Sequence, residues 1–372
     1  MSTKQNKPIT YSSTGVNYDA MDPFKRLAQL KARATSKNFN RFGMKEIEAS
    51  RGESAFVWEE KDSYRAFVVE GLGTKNRVAD ETQKITGKTH YDAIAQDTVA
   101  MIVNDLIVVG AETQVVNAYF AVGSSDWFSD EERARDLVEG WVRACNLAGA
   151  VWGGGETPTL KGIIEPDTID LSGSAIGIVK PKERLTLGDK LTPGDAIFLV
   201  ESSGIHANGL TLARTIASRL PEGYATPLSD GKSYGESLLV PTHIYAGLIR
   251  DYFEAGIDIH YMVNITGHGW RKLMRANREL SYIVERVPEP QPVFNFIQEH
   301  SRNNDEEMYG NFNMGAGFAV FMPDQNVELA QRIALEKYRW QARKAGYVDQ
   351  GPRQVVIQPK NLTFRGEALG VR

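Results

Sequence analysis

From Asp92 to Val109 the apolar residues Ile94, Ala95, Val99, Ile102, Val103 and Leu106 recur every three or four positions, and Gly110 follows where a helix would stop. That spacing predicts a helix with an apolar stripe. Before it, residues 65–70 (RAFVVE) are a short β-branched and aromatic run ending at the glycine turn Gly71 to Gly73, the signature of a buried strand. After it the pattern predicts a strand over Gln114 to Val122, an amphipathic helix over Asp130 to Leu147, a glycine cluster at Gly153 to Gly155, and a strand over Thr168 to Val179. Strands alternating with helices argue for a mixed α/β first half.

The segment KPKERLTLGDKLTPGD, Lys180 to Asp195, is charged and turn-rich with two prolines, which suits a crossing between domains. We divide the chain there, into residues 1–182 and 183–372. The second half opens with the apolar run AIFLVES and the turn SSGIHANG. It continues through helix-like stretches (Leu210 to Leu220, Leu238 to Ala255), a second glycine turn TGHG and the segment NMGAGFAVFMP, and from Val355 it reads as strands and a polar tail.

Length and composition narrow the class. At 372 residues the chain exceeds the usual size of one core, so two domains are expected. With 42% apolar residues, 24% charged residues and a net charge of −4, neither disorder nor a nucleic-acid-binding surface is indicated. The single Cys145 offers no disulfide and no thiolate zinc site, which fits a reducing compartment. The first residues, MSTKQNKPITYSS, lack the apolar stretch of a secretory signal, and no run has the length of a membrane span, so a cytoplasmic location is expected.

Familiar nucleotide devices are missing. ITGKTH ends like a P-loop, but the glycine needed five positions before Gly87 is Thr82, and no G-x-G-x-x-G occurs. What remains is a set of polar residues in unusual places. On a helix Asp97 and Asn104, seven residues apart, lie on nearly one face, with Asp105 about a quarter turn away at ~100° per residue. Three hard oxygen donors along an apolar helix need partners, and Asp105 near the negative helix C-terminus favours a cation such as Mg²⁺. GGGETPT, from Gly153, is either a plain glycine turn or a backbone that approaches phosphate while Glu156 reaches a metal. EGLGTK places Glu70 and Lys75 around another glycine turn. SSGIHANG concentrates Ser203, His206 and Asn208 between glycines, suited to phosphate or ribose, with His206 either a general acid or base or a hydrogen-bonded loop histidine.

In order, the chain carries Y-x-x-x-G-V from Tyr11, GTK after a strand, D-x-V-A-M-x-V-N-D-L-x-V-x-G-A-E from Asp97, G-G-E-T, S-S-G-x-H-x-N-G, L-x-P-T-x-I-Y and F-N-x-G-x-G. From about Tyr11 to about Pro359 it resembles the aminoimidazole ribonucleotide synthetases, or phosphoribosylformylglycinamidine cyclo-ligases, whose relatives include thiamine-monophosphate kinase and selenophosphate synthetase. The resemblance implies an α/β fold of α+β type with an N-terminal mixed sheet that pairs across a homodimer into a barrel, and a C-terminal α/β sandwich. It implies ATP and Mg²⁺ as cofactors, a phosphoribosyl amidine as small-molecule substrate, and an activity in purine biosynthesis: phosphorylation of a formyl amide oxygen, then ring closure with loss of phosphate. It also implies roles. Glu70, Gly71, Gly73, Thr74, Lys75, Asp97, Asn104, Gly154, Gly155, Glu156 and Thr157 would hold the nucleotide, with Asp97, Asp105 and Glu156 on the metal. Ser203, Gly204, His206, Asn208, Gly209, Thr266 and Gly267 would face the substrate, and His206, Lys75 and Asp105 would act in catalysis.

Several positions depart from the family pattern. Glu70 stands where Asp is usual, Ser12 for Lys, Asn17 for Asp and His268 for Gly, and the stretch after the glycine cluster reads GGETPTLKG. Two other readings follow from these departures: an ATP-using relative acting on a different small molecule, and a non-catalytic nucleotide-binding homologue. A selenophosphate synthetase is disfavoured because Cys145 falls inside a helix pattern.

Overall fold

The computed structural model describes residues 8–10, 12–15 and 18–369; Tyr11, Val16 and Asn17 of the N-terminal motif lie outside the described residues, and for Ser12 only the backbone is described. After helix α1 (Tyr18–Ala32) the first half builds a six-stranded sheet from β1 (Lys45–Glu46), β2 (Phe56–Glu59), β3 (Tyr64–Gly71), β4 (Glu112–Val122), β5 (Val151–Glu156) and β6 (Ile169–Val179), in the order β1-β2-β3-β6-β4-β5. Helices α2 (Lys75–Thr86), α3 (Tyr91–Ile107) and α4 (Glu131–Ala148) connect these strands. All neighbours are antiparallel except β4 and β5, whose parallel pairing requires a crossover connection that α4 supplies.

The second half forms a seven-stranded sheet in the order β13-β12-β9-β11-β7-β10-β8. Its strands are β7 (Ala196–Glu201), β8 (Tyr261–Asn264), β9 (Leu280–Val284), β10 (Ala316–Met322), β11 (Ala342–Gln350), β12 (Gln354–Ile357) and β13 (Leu362–Arg365). The accompanying helices are α5 (Leu210–Ala217), α6 (Tyr234–Leu238), α7 (Ala246–Glu254), α8 (Pro292–Ser301), α9 (Asp305–Asn311) and α10 (Val327–Tyr338). The run AIFLVE is apolar without alternation because β7 lies inside the sheet, with its first five residues buried.

Helix α3 occupies the middle of the molecule. It packs on β3, β6 and α4 of the first half and on α7 and β8 of the second. Every residue from Tyr91 to Ile107 except Asp92 and Gln96 is buried, so the expected stripe is in fact an apolar surface nearly all round.

Two stretches differ from their predicted form. The glycine cluster is not a turn but the edge strand β5, and close approach requires Gly153 and Gly155: a Cβ on Gly153 would come within 2.6 Å of Val115 and 2.8 Å of Asn117, and one on Gly155 within 2.2 Å of the Ala118 carbonyl oxygen. The predicted helix from Leu238 to Ala255 begins only at Ala246. Pro241 interrupts it, and the backbone of residues 240–245 is drawn instead into hydrogen bonds with side chains of α2 and α3.

Candidate functional site

The polar residues of α3 divide into two sets by direction. Asp97 and Asn104 share a face, as their spacing of seven requires, and that face meets the segment Val240 to Tyr245. One Asp97 carboxylate oxygen accepts from the Thr242 N–H at 2.9 Å and from the Thr242 hydroxyl, while the other lies 2.8 Å from the Lys75 ammonium. Lys75 also donates to the Val240 carbonyl at 3.0 Å. The Asn104 amide donates to the His243 carbonyl at 2.8 Å and accepts from the Tyr245 N–H at 2.9 Å, and Gln96 donates to the Thr242 carbonyl at 2.9 Å.

The side chains of Lys75 and Asp97 are 0% exposed. Burial pushes the Lys75 pKa down and the Asp97 pKa up, each opposed by its partner's charge. Together Lys75, Asp97 and Asn104 form a clasp that ties the first half to the second. Either charge would have to abandon a buried partner to reach a ligand, at the cost of an uncompensated buried ion.

A quarter turn away, Asp105 faces a cavity of about 420 Å³ where the two halves meet. Around it stand Glu70 from the end of β3, Met101 and Asp105 from α3, Asn208, the turn Thr266 to His268, Lys272 and Arg275, with Lys25 and Gln29 reaching in from α1. Asn264 donates to Asp105 at 2.7 Å. Burial, and next the neighbouring Asp105 carboxylate, push the Glu70 pKa up to about 7, while Lys272 pulls the other way. Lys272 is 8% exposed; its ammonium donates to the Asn264 carbonyl at 3.2 Å and to the Thr266 hydroxyl, and burial lowers its pKa against the pull of Asp105 and Glu70. The Gly267 N–H donates to the Asn208 side chain at 3.0 Å, which locks the two glycine-rich turns together at the rim.

The rest of the second-half loop has other work. His206 is 1% exposed; its Nε2 takes the Ser203 N–H at 3.2 Å, and burial holds its pKa well below the usual histidine range. It is not among the residues that line the cavity, and its geometry matches the alternative of a hydrogen-bonded loop histidine. Ser203 donates to the Pro241 carbonyl at 2.6 Å, Gly204 accepts from Asn313 at 2.9 Å, and Gly209 lies in the left-handed region (φ 78°) against the Phe312 ring, where any Cβ would overlap it.

Glu156 lies elsewhere. Strand register pairs it with Tyr119, and Tyr119 with Ser172 and Gly71, on the outer face of the first sheet, while Glu70 lies in the next row and points to the helix-covered face. The expected metal group of Asp97, Asp105 and Glu156 therefore does not assemble within one chain. Among the described residues no group of three or more His, Cys, Asp or Glu side chains is placed to hold a metal ion. Gly154, Gly155, Glu156 and Thr157 instead border a nearly apolar pocket of about 360 Å³ walled by Phe120, Trp127, Phe128, Val138 and Trp152. Gly71, Gly73 and Thr74 form the turn that leads from Glu70 into α2.

Lys272, Lys25, Glu53 and Arg275 were not legible as site residues. The only signal at Lys272 was a lysine inside the apolar-flanked stretch GWRKLM, which an exposed turn explains equally well. Cys145 is buried in α4, where burial pushes its thiol up to about 11, unlike a reactive cysteine. Among the described residues no helix is long and apolar enough to cross a membrane.

Comparison with known proteins places these features. Residues 52–179 match the model for the AIR synthase related protein N-terminal domain, and residues 192–358 match the C-terminal domain model. The phosphoribosylformylglycinamidine cyclo-ligase of Methanocaldococcus jannaschii is 34% identical over 91% of this chain and 92% of its own length. Two solved structures share the fold. A HypE-HypF complex aligns over 84% of this chain and 92% of that chain, with a TM-score of 0.59 and 16% identity. The hydrogenase maturation protein HypE in complex with ATP aligns over 71% of this chain and 75% of that chain, with a TM-score of 0.52 and 20% identity.

Proposed function

The chain belongs to the AIR synthase related family, and on that footing we propose that it is an ATP-dependent cyclo-ligase that converts formylglycinamidine ribonucleotide to aminoimidazole ribonucleotide. The observation that carries this reading is the cavity itself. Motif residues distant in sequence, Glu70, Asp105, Asn208, Thr266 and Gly267, line one space at the junction of the two halves.

An amide oxygen is a poor leaving group. Transfer of the ATP γ-phosphoryl group to the formyl oxygen, with release of ADP, converts it into a phosphate ester. Attack of a substrate nitrogen on that carbon then expels inorganic phosphate, and loss of a proton leaves the imidazole. Such chemistry asks the protein mainly for positioning and charge compensation.

The residues present fit a magnesium ion in a limited way. Mg²⁺ is commonly held by one or two carboxylates, with phosphate oxygens and water completing its shell, and Glu70 and Asp105 are the two carboxylates that would hold it. When bound, the ion would neutralise charge on the transferred phosphoryl group. Lys272, fixed by Thr266 and Asn264, places a cation beside the same carboxylates, and Lys25 and Arg275 add positive charge to the wall facing a phosphorylated substrate. The aromatic pocket beside β5 suits a nucleobase, since its walls are almost entirely apolar and its glycines let a ligand approach the backbone.

We further propose a homodimer built on the first sheet. On its outer face Phe67, Ile176, Val115 and Val151 form one cross-strand row, with Phe67 40% and Val151 64% exposed. An apolar row of this kind on an open sheet face is suited to a self-complementary contact.

The test is direct. Purified protein given formylglycinamidine ribonucleotide and MgATP should release one ADP per aminoimidazole ribonucleotide formed; ATP turnover unchanged by that substrate would reject the reading.

A further inference from the structure

The second sheet carries a cavity of its own. Phe198 of β7 packs on Tyr252 of α7, so Leu199 and, two residues on, Glu201 point to the other face of the sheet. On the neighbouring strand β11, Arg343 is in register with Leu199 and rises from that same face, diagonal to Glu201. These side chains line a cavity of about 160 Å³, and Arg286, Glu289 and Gln291, from the segment that joins β9 to α8, form another part of its wall. That segment is tied to the sheet, because the Arg286 N–H donates to the Ala345 carbonyl at 2.9 Å.

Two guanidinium groups and two carboxylates thus surround one opening. Opposite charges so placed ordinarily close on each other, yet among the described residues no ion pair forms on Glu201, Arg286, Glu289 or Arg343, and neither arginine side chain makes a hydrogen bond. Arg343 acts on Glu201 at a distance: burial raises the Glu201 pKa, and the Gln341 N–H and the Arg343 charge oppose the rise. Gln291 adds an acceptor. Its Nε2 donates to the Ser202 carbonyl at 2.5 Å, which fixes the amide, and its Oε1 is buried with no donor.

The chemistry of a matching ligand follows from that set. A simple anion would meet two carboxylates, a simple cation would meet two guanidinium groups, and an apolar molecule would strip water from all four charges. A molecule that carries both signs satisfies them together, with its carboxylate on the arginine forks and its ammonium on the carboxylates and the amide oxygen. The space is well below the roughly 300 Å³ or more of a drug-sized pocket, so the ligand is small. We propose that this cavity is a second binding site, separate from the one at the junction of the two halves, for a zwitterionic α-amino acid. It does not depend on the cyclo-ligase reading.

The test is calorimetric titration of the full chain with each of the common α-amino acids, with acetate, inorganic phosphate and methylamine as single-charge probes, on wild-type protein and on Glu201→Gln, Arg286→Met and Arg343→Met. At least one amino acid should bind at one site with a Kd on the order of 1 mM or tighter, and the single-charge probes at least about tenfold more weakly. Glu201→Gln and Arg343→Met should each weaken the amino acid about tenfold, with Arg286→Met reporting the same loss from the other part of the wall, while the thermal midpoint and the turnover of the protein hold. No amino acid bound at roughly 10 mM, acetate or phosphate bound as tightly as the amino acid, or wild-type affinity in any folded variant of the three overturns the proposal.

Discussion

At the scale of single residues, two acidic side chains of one helix, eight positions apart, have opposite fates. Asp97 is bonded to Lys75 and Thr242 with no exposure, whereas Asp105 lines the cavity and feels a second carboxylate, Glu70. Removing one member of a buried ion pair strands the other, so Lys75→Met or Asp97→Leu should lower the unfolding free energy by about 3–5 kcal/mol, read from urea denaturation. Asp105→Asn should do the reverse of what its burial suggests. The amide still accepts from Asn264, and a like charge beside Glu70 is gone, so stability should hold or rise slightly while turnover falls by about a hundredfold or more. A large loss of stability in that variant would mean that Asp105 is part of the clasp and not of the cavity.

At the scale of elements, α3 and α4 lie unusually close. A Cβ on Gly140 of α4 would come within 2.6 Å of the Asp92 Cα and 2.9 Å of the Ala95 Cβ on α3. The small residue sets the spacing of the two helices, and with it the position from which α3 reaches the second half. Gly140→Ala gains helix propensity worth about 1 kcal/mol, yet the forced separation should outweigh it and destabilise the protein by about 1–3 kcal/mol. A stabilised Gly140→Ala protein, measured by the same denaturation, would show that the helices have room to part. The segment after α6 teaches a related lesson. Its apolar spacing fits a helix from Leu238 onward, but Pro241 and the side chains of Lys75, Gln96, Asp97 and Asn104 hold residues 240–245 out of one. Local periodicity lost there to long-range hydrogen bonds.

At the scale of the whole molecule, the first sheet covers one face with α3 and α4 and leaves the other apolar along the row through Phe67 and Ile176. Val69, 63% exposed on that same face, should be a sensitive point. Val69→Glu should convert a dimer to monomers in sedimentation analysis with little change in the unfolding midpoint of the monomer; a wild-type chain that sediments as a monomer would remove the dimer from the proposal. The same geometry explains why Glu156 is separated from Asp105 within one chain, since neighbouring rows of a sheet point to opposite faces.

The order of strands and helices, the helical face shared by Asp97 and Asn104, the turn of about 100° to Asp105 and the apolar character of β7 all follow from local spacing, because helix and strand periods depend only on backbone geometry. Which of those faces meets a partner and which meets open space depends on chain segments distant in sequence. Thr242 took Asp97, His243 and Tyr245 took Asn104, and Glu70 with Lys272 came to stand beside Asp105. Residue type and spacing mark a polar group that needs a partner; only the packing of the two halves decides whether that partner is the protein itself or a ligand.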